Sequence, residues 1–252
     1  MPPDTAASDA GDGGASLGVL EPILNAPFEK PKEHWLLSLE QPAKKMSGRR
    51  PSLAHPPQEG PFTWELGHTL KLSETYSPAY EMTLVNLIRE RLDEWRAQNY
   101  PGVTRTTLDL LNWWTREGRK DRLFFAQIEA AETIIFLTEA RPDFLQGIDI
   151  PIDEPSDEQK AKGYEAFLRR SCKMATGSGK TMVMGMLIAW SVLNKVGNRN
   201  DKRFSDTVFV VCPNVTIRHR LSELNPELGE TSIYRTRDLV PPQSYCQKLC
   251  MG

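Results

Sequence analysis

The chain has 252 residues, with 31 basic against 33 acidic side chains and a formal net charge of −2. That near-balance excludes a globally basic nucleic-acid coat and leaves room only for a local basic groove. No stretch approaches the roughly 18 apolar residues of a membrane span, and the N-terminus lacks the basic start and apolar run of a secretory signal, so a cytoplasmic protein without a membrane partner is expected.

Residues 1–16 are mostly Ala, Gly, Asp, Ser and Pro, with almost nothing to bury, and are expected to be a disordered tail. Residues 17–61 read as an extended arm. Ile23-Leu24-Asn25-Ala26-Pro27-Phe28, His34-Trp35 and Gly48-Arg49-Arg50-Pro51 set apolar groups between prolines, which suits a strap lying on a neighbouring surface. Residues 62–120 form a small helical region. Its first helix is predicted from about Ser77-Pro78 to Arg96, with Leu84, Leu87, Ile88, Leu92 and Trp95 on one face. Tyr100-Pro101-Gly102 ends it. The second runs from about Thr107 to Glu117, with Leu108, Leu111 and Trp114 inward. Trp113 and Trp114 are residue types that stack nucleobases, but at helical spacing they read first as core. The charged run Gly118-Arg119-Lys120-Asp121-Arg122 is the predicted domain boundary.

Residues 121–252 then begin with a third helix. Phe124, Ile128, Ala131 and Ile135 share a stripe, and Arg141-Pro142 closes it. Gln127 sits just off the stripe; by pattern alone it is an ordinary surface glutamine. Residues 143–165 read as a loop or insertion. Beyond them lies the most specific stretch in the chain, Met174-Ala175-Thr176-Gly177-Ser178-Gly179-Lys180-Thr181. Gly177 and Gly179 permit a tight turn with no side chains in the way, so that backbone N–H groups, including those of Thr176 and Ser178, can face a polyphosphate. Lys180 can reach the β- and γ-phosphates, and the Thr181 hydroxyl can hold Mg²⁺. A helix is predicted from Lys180, carrying Met182, Val183, Met186, Leu187, Trp190 and Leu193 at helical spacing and stopping at Gly197-Asn198. A short strand at 170–174 and a buried parallel strand at Thr207-Val208-Phe209-Val210-Val211-Cys212 complete a predicted βαβ unit. Pro213-Asn214 then turns into a short helix whose Thr216, Arg218 and Arg220 suit a nucleic-acid backbone, or simply solvent. Of the four cysteines, Cys172 and Cys212 fall in predicted strands, whereas Cys246 and Cys250 lack the further ligands a metal site needs.

Several of these stretches resemble superfamily two helicases. Leu123 to Thr133 resembles the glutamine motif, Lys173 to Thr181 is similar to motif I, and Val210 to Leu221 looks like the strand and motif Ia. The nearest flavour is the helicase subunit of type III restriction enzymes, and the arm also looks like the start of such proteins. The resemblance implies that Gln127 reads the adenine edge of ATP. It implies that Thr176, Gly177, Ser178, Gly179 and Lys180 hold the phosphates, that Thr181 holds Mg²⁺, and that Thr216 and Arg218 approach DNA. Met174 stands where the general phosphate-loop pattern has glycine, and Ile128, Cys212 and Asn214 depart from residues common in the family at those places. The expected fold is α/β: an incomplete RecA-like P-loop NTPase domain preceded by an extended arm and a small helical region.

No Asp-Glu-x-His or Asp-Glu-x-Asp stretch follows Cys212. Motor ATPases use that acidic pair on Mg²⁺ and the attacking water. The expectation is therefore the leading part of a longer helicase, truncated after motif Ia, that binds ATP and Mg²⁺ and turns over poorly by itself. Expected partners are DNA and a methyltransferase subunit. Two rival expectations are a non-catalytic partner-binding protein with a vestigial loop, and a P-loop kinase or transferase.

Overall fold

The computed structural model describes residues 23–36, 42–54 and 79–241. Ser77, Pro78, Cys246 and Cys250 lie outside the described residues, as do residues 1–16. By its internal contacts the chain divides into two units, Met1–Arg50 and Pro51–Gly252.

In the first unit, strand β1 (Glu33–Leu36) pairs antiparallel with β2 (Lys44–Ser47), in register from Glu33 opposite Ser47 to Leu36 opposite Lys44. The predicted arm is thus a hairpin over these residues and not an extended strap. Both strands are free of proline, so their backbone donors are available to a ladder; the prolines fall outside them. The Asn25 side chain organises the entry. Its Oδ1 accepts from the N–H groups of Lys32 at 2.8 Å and Glu33 at 3.2 Å, and its Nδ2 donates to the Glu33 carbonyl at 2.8 Å.

The second unit opens with a minimal ladder, β3 (Leu53–Ala54) against β4 (Tyr80–Glu81). Helix α1 (Thr83–Ala97) follows, then α2 (Arg105–Thr115) and α3 (Phe125–Glu139). The pattern of the sequence located all three helices within a few residues. Helix α1 starts later than predicted because Tyr80 and Glu81 are taken into the ladder. Thr104 caps α2, its Oγ1 accepting from Thr107 N at 3.1 Å. Both tryptophans of α2 serve the core. The Trp114 indole donates to Leu239 O at 2.8 Å and the Trp113 indole to Asp238 O at 3.0 Å. The charged junction after α2 lies inside this unit. Arg119 is buried and donates to the carbonyls of Asp121, Asp238 and Arg237.

Helix α5 (Lys180–Gly197) packs on α2 and α3, and one core joins them with α1. Trp95 stands edge-on to Phe136, ring centroids 5.4 Å apart. Helix α3 is enclosed on more than its predicted stripe, and two of its carboxylates are buried. Glu132, 1 % exposed, takes a two-pronged contact from Arg96 and a 2.9 Å bond from the Tyr100 hydroxyl. Glu139 accepts from Thr104 N at 2.8 Å, and from the Thr107 hydroxyl and the Trp190 indole at 2.7 Å each. Buried charge is tolerated only with such partners.

The predicted parallel strands do not form. Residues 170–174 and 207–212 have no regular secondary structure and no ladder partners among the described residues. The nearest ladder is antiparallel, β5 (Ile152–Asp153) with β6 (Phe167–Leu168), and helix α4 (Asp157–Ala161) lies between them in the stretch expected to be loop. A strand exists through its neighbours, and the described residues supply none beside either segment. Val208 and Val210 line a cleft of about 370 Å³ against Ile188 and Val192 of α5, whereas Phe209 and Val211 are 89 % and 79 % exposed. The alternation of a strand is present without its sheet. What is observed is a mixture of helices and small antiparallel ladders. Among the described residues no helix is long and apolar enough to cross a membrane.

Candidate nucleotide-binding loop

The loop before α5 has the backbone its glycines predict. Gly177 has φ +80° and Gly179 φ +81°, both in the left-handed region. Gly179 is the residue immediately before α5, so the chain reverses there and the helix opens at Lys180. The first-turn N–H groups of a helix have no acceptor within it, and they carry the positive end of its dipole. With eighteen residues in α5, that end is a well-formed anion-attracting surface.

Three donors converge on one carbonyl inside the loop. Ala175 O accepts from the Ser178 hydroxyl at 2.7 Å, from Lys180 Nζ at 2.9 Å and from Ser178 N at 3.3 Å. Lys180 is exposed, and its ammonium is folded back over the loop. A phosphate oxygen is a stronger acceptor for an ammonium than a neutral carbonyl. Exchange of that acceptor is therefore the expected first event when an anion arrives. Thr176 is exposed, and Thr181 is half-buried in the first turn of α5.

The structure brings Gln127 to this loop. The residue is 5 % exposed and not on the surface, where pattern alone placed it. Its Nε2 donates to Ser178 O at 3.0 Å, and its Oε1 accepts from Phe124 N at 2.9 Å. The two contacts dictate the orientation of the amide, since one neighbour is an acceptor and the other a donor. Phe124 has no polar side chain, so only the return half of a capping box forms at the start of α3. The amide faces the loop backbone; an adenine edge would have to compete for it.

Arg170 is a site residue that sequence reasoning missed. It donates through Nη1 to Ile134 O at 3.2 Å and to the Thr138 hydroxyl, and through Nη2 to Leu137 O at 2.8 Å. Leu137 lies in the last turn of α3, where carbonyls lack intrahelical donors and a cation is favoured. Burial pushes its pKa below the ordinary arginine value. No local signal marks the partnership, because arginine and helix are more than thirty residues apart in the chain.

Thr216 and Arg218 stand on another element, α6 (Val215–Leu221), and both are exposed. Asn214 caps that helix, its Oδ1 accepting from Ile217 N at 2.9 Å. Among the described residues no cluster of His, Cys, Asp or Glu is arranged to hold a metal ion. Any Mg²⁺ here would be held through Thr181 and the phosphates it accompanies. No family model, curated protein or solved structure matches the chain.

Proposed function

We propose that the chain binds ATP with Mg²⁺ at the loop 174–181, as the ATP-binding portion of a DNA helicase or translocase subunit similar to those of type III restriction enzymes. The observation that carries the reading is the loop itself: two left-handed glycines leading directly into an eighteen-residue helix, with a lysine poised on a carbonyl it can leave. Lys180 and the amides of Thr176 to Gly179 hold the phosphates, and Thr181 supplies a hydroxyl to Mg²⁺. In this reading the loop and α5 belong to a RecA-like P-loop domain. DNA is the macromolecular partner, met by Thr216 and Arg218, and a methyltransferase subunit is the protein partner. The location is the cytoplasm. Without an Asp-Glu pair after Cys212, hydrolysis by this chain is slow or absent.

The test is calorimetric titration of the 252-residue chain with Mg·ATP, with and without duplex DNA. Saturable binding that is lost in Lys180→Ala supports the reading. Equal behaviour of wild type and Lys180→Ala sinks it. Rapid DNA-stimulated turnover would remove the claim of poor hydrolysis. A second reading, partner binding with a vestigial loop, draws on the exposed apolar run Val208 to Val211. It predicts no saturable nucleotide binding.

A further inference from the structure

The phosphate loop lacks the strand that was expected to support it, yet it keeps a defined shape. Ser171, Cys172, Lys173, Ala175, Thr176 and Gly177 are all exposed, and no ladder holds them. Two side-chain contacts bracket the stretch, and both reach α3. Arg170 is tied to the carbonyls of Ile134 and Leu137, and Ser178 O is tied to Gln127. Helix α3 is in turn fixed by its buried carboxylates, Glu132 to α1 and Glu139 to α2 and α5.

The contact to Ser178 O has a consequence for the anion site. In a trans peptide the carbonyl and the following N–H point in opposite directions. Holding the Ser178 carbonyl toward Gln127 therefore turns the Gly179 N–H away from the Gln127 amide. The approach is close. A Cβ built on Gly179 would lie 2.1 Å from Gln127 Nε2, so glycine at 179 serves this contact as well as the left-handed turn.

We propose that α3 is a splint for the phosphate loop, with Gln127 and Arg170 as positioning residues that preset its N–H groups for a triphosphate whatever base is attached. The proposal deepens the nucleotide-binding reading and rests on it. It assigns Gln127 to the phosphate end of the ligand and not to the base.

The experiment has two arms on the full chain. The first is amide hydrogen exchange without nucleotide. Gln127→Glu keeps an acceptor for Phe124 N and removes the donor to Ser178 O, and Arg170→Met keeps much of the stem and removes the donors to α3. Each is expected to speed exchange at Ser178 N–H about tenfold, the equivalent of roughly one lost hydrogen bond, with the amides of α1 unchanged. The second arm is titration of wild type, Gln127→Ala and Arg170→Met with Mg·ATP and, separately, with magnesium tripolyphosphate. Both variants are expected to weaken the two ligands by the same factor. Weakening of ATP alone by Gln127→Ala makes Gln127 a base reader and overturns the proposal, as does loop exchange that matches wild type. If wild type binds neither ligand, the nucleotide reading fails by itself, and the exchange arm still decides whether α3 holds the loop.

Discussion

Two helices in this chain are entered from extended apolar or mixed segments, and they differ in what holds them. Helix α5 follows the loop at 174–179 and buries Val183, Met186, Ala189, Trp190, Val192 and Leu193 in the common core. Helix α6 follows 207–214 and has no buried residue. Both entrances carry a good local signal, left-handed Gly179 in one case and capping Asn214 in the other. Local signals alone are worth about 1 kcal/mol. The large difference comes from tertiary packing, since most helix stability in proteins is supplied by a buried face.

The sharpest way to break the comparison is a pair of phenylalanine truncations read by urea unfolding. Phe136, fully buried on α3 against Trp95 in the core that α5 shares, should cost about 3–5 kcal/mol as Phe136→Ala. Phe209, before the α6 entrance, should stay within about 0.5 kcal/mol as Phe209→Ala. A large loss at Phe209 would mean that the segment is covered in solution, and the contrast would collapse.

Next in size is Glu132→Ala, which leaves Arg96 with Asp93 alone and takes the acceptor from the Tyr100 hydroxyl. A loss of about 3 kcal/mol is expected in the same assay. A neutral result would show that water reaches Arg96 and that α3 is not firmly anchored.

Gly179→Ala sharpens the loop side. The left-handed conformation costs a side chain about 1–2 kcal/mol, and the new methyl also meets Gln127. Adding Gln127→Ala should recover the part due to the clash and leave the conformational part. The double-mutant cycle in thermal unfolding measures the difference. Full additivity would mean that Gln127 and Gly179 are not in contact.

The smallest effect is electrostatic. Hydrogen bonds from the Arg203 side chain and backbone hold the Asp201 carboxyl at about 2, below its ordinary 3.8. Its stabilising contribution is therefore fully present above 3.8 and is lost as pH falls through about 2. An NMR titration of the Asp201 carboxyl carbon should give that low midpoint, and Arg203→Ala should return it toward 3.8.

Helices were legible because their signals are local. The apolar spacing of Leu92 and Trp95, and of Met186, Trp190 and Leu193, is written within a few residues, as are the stops at Tyr100-Pro101-Gly102 and Gly197-Asn198. The loop was legible for the same reason: two glycines and a lysine define its turn and charge without outside help. Gln127 was only half legible. The resemblance made it an expected nucleotide contact, but its hydrogen bond to Ser178 O spans fifty-one positions of sequence.

The apolar run at 207–212 shows the opposite case. Its residues have the hydrophobicity of a buried parallel strand, yet a strand is completed by hydrogen bonds from another part of the chain. No second strand stands beside it among the described residues, so the pattern yields coil. Glu132 and Glu139 belong with it, because a buried carboxylate depends on Arg96, Tyr100, Thr104, Thr107 and Trp190 arriving from α1, α2, α5 and the turn between α1 and α2. Turns, caps and helical faces follow from bonds between near neighbours and were settled by the order of residues. Sheet pairing, buried charge and the grip of α3 on the loop require distant groups to meet, and only the folded chain decides which of them do.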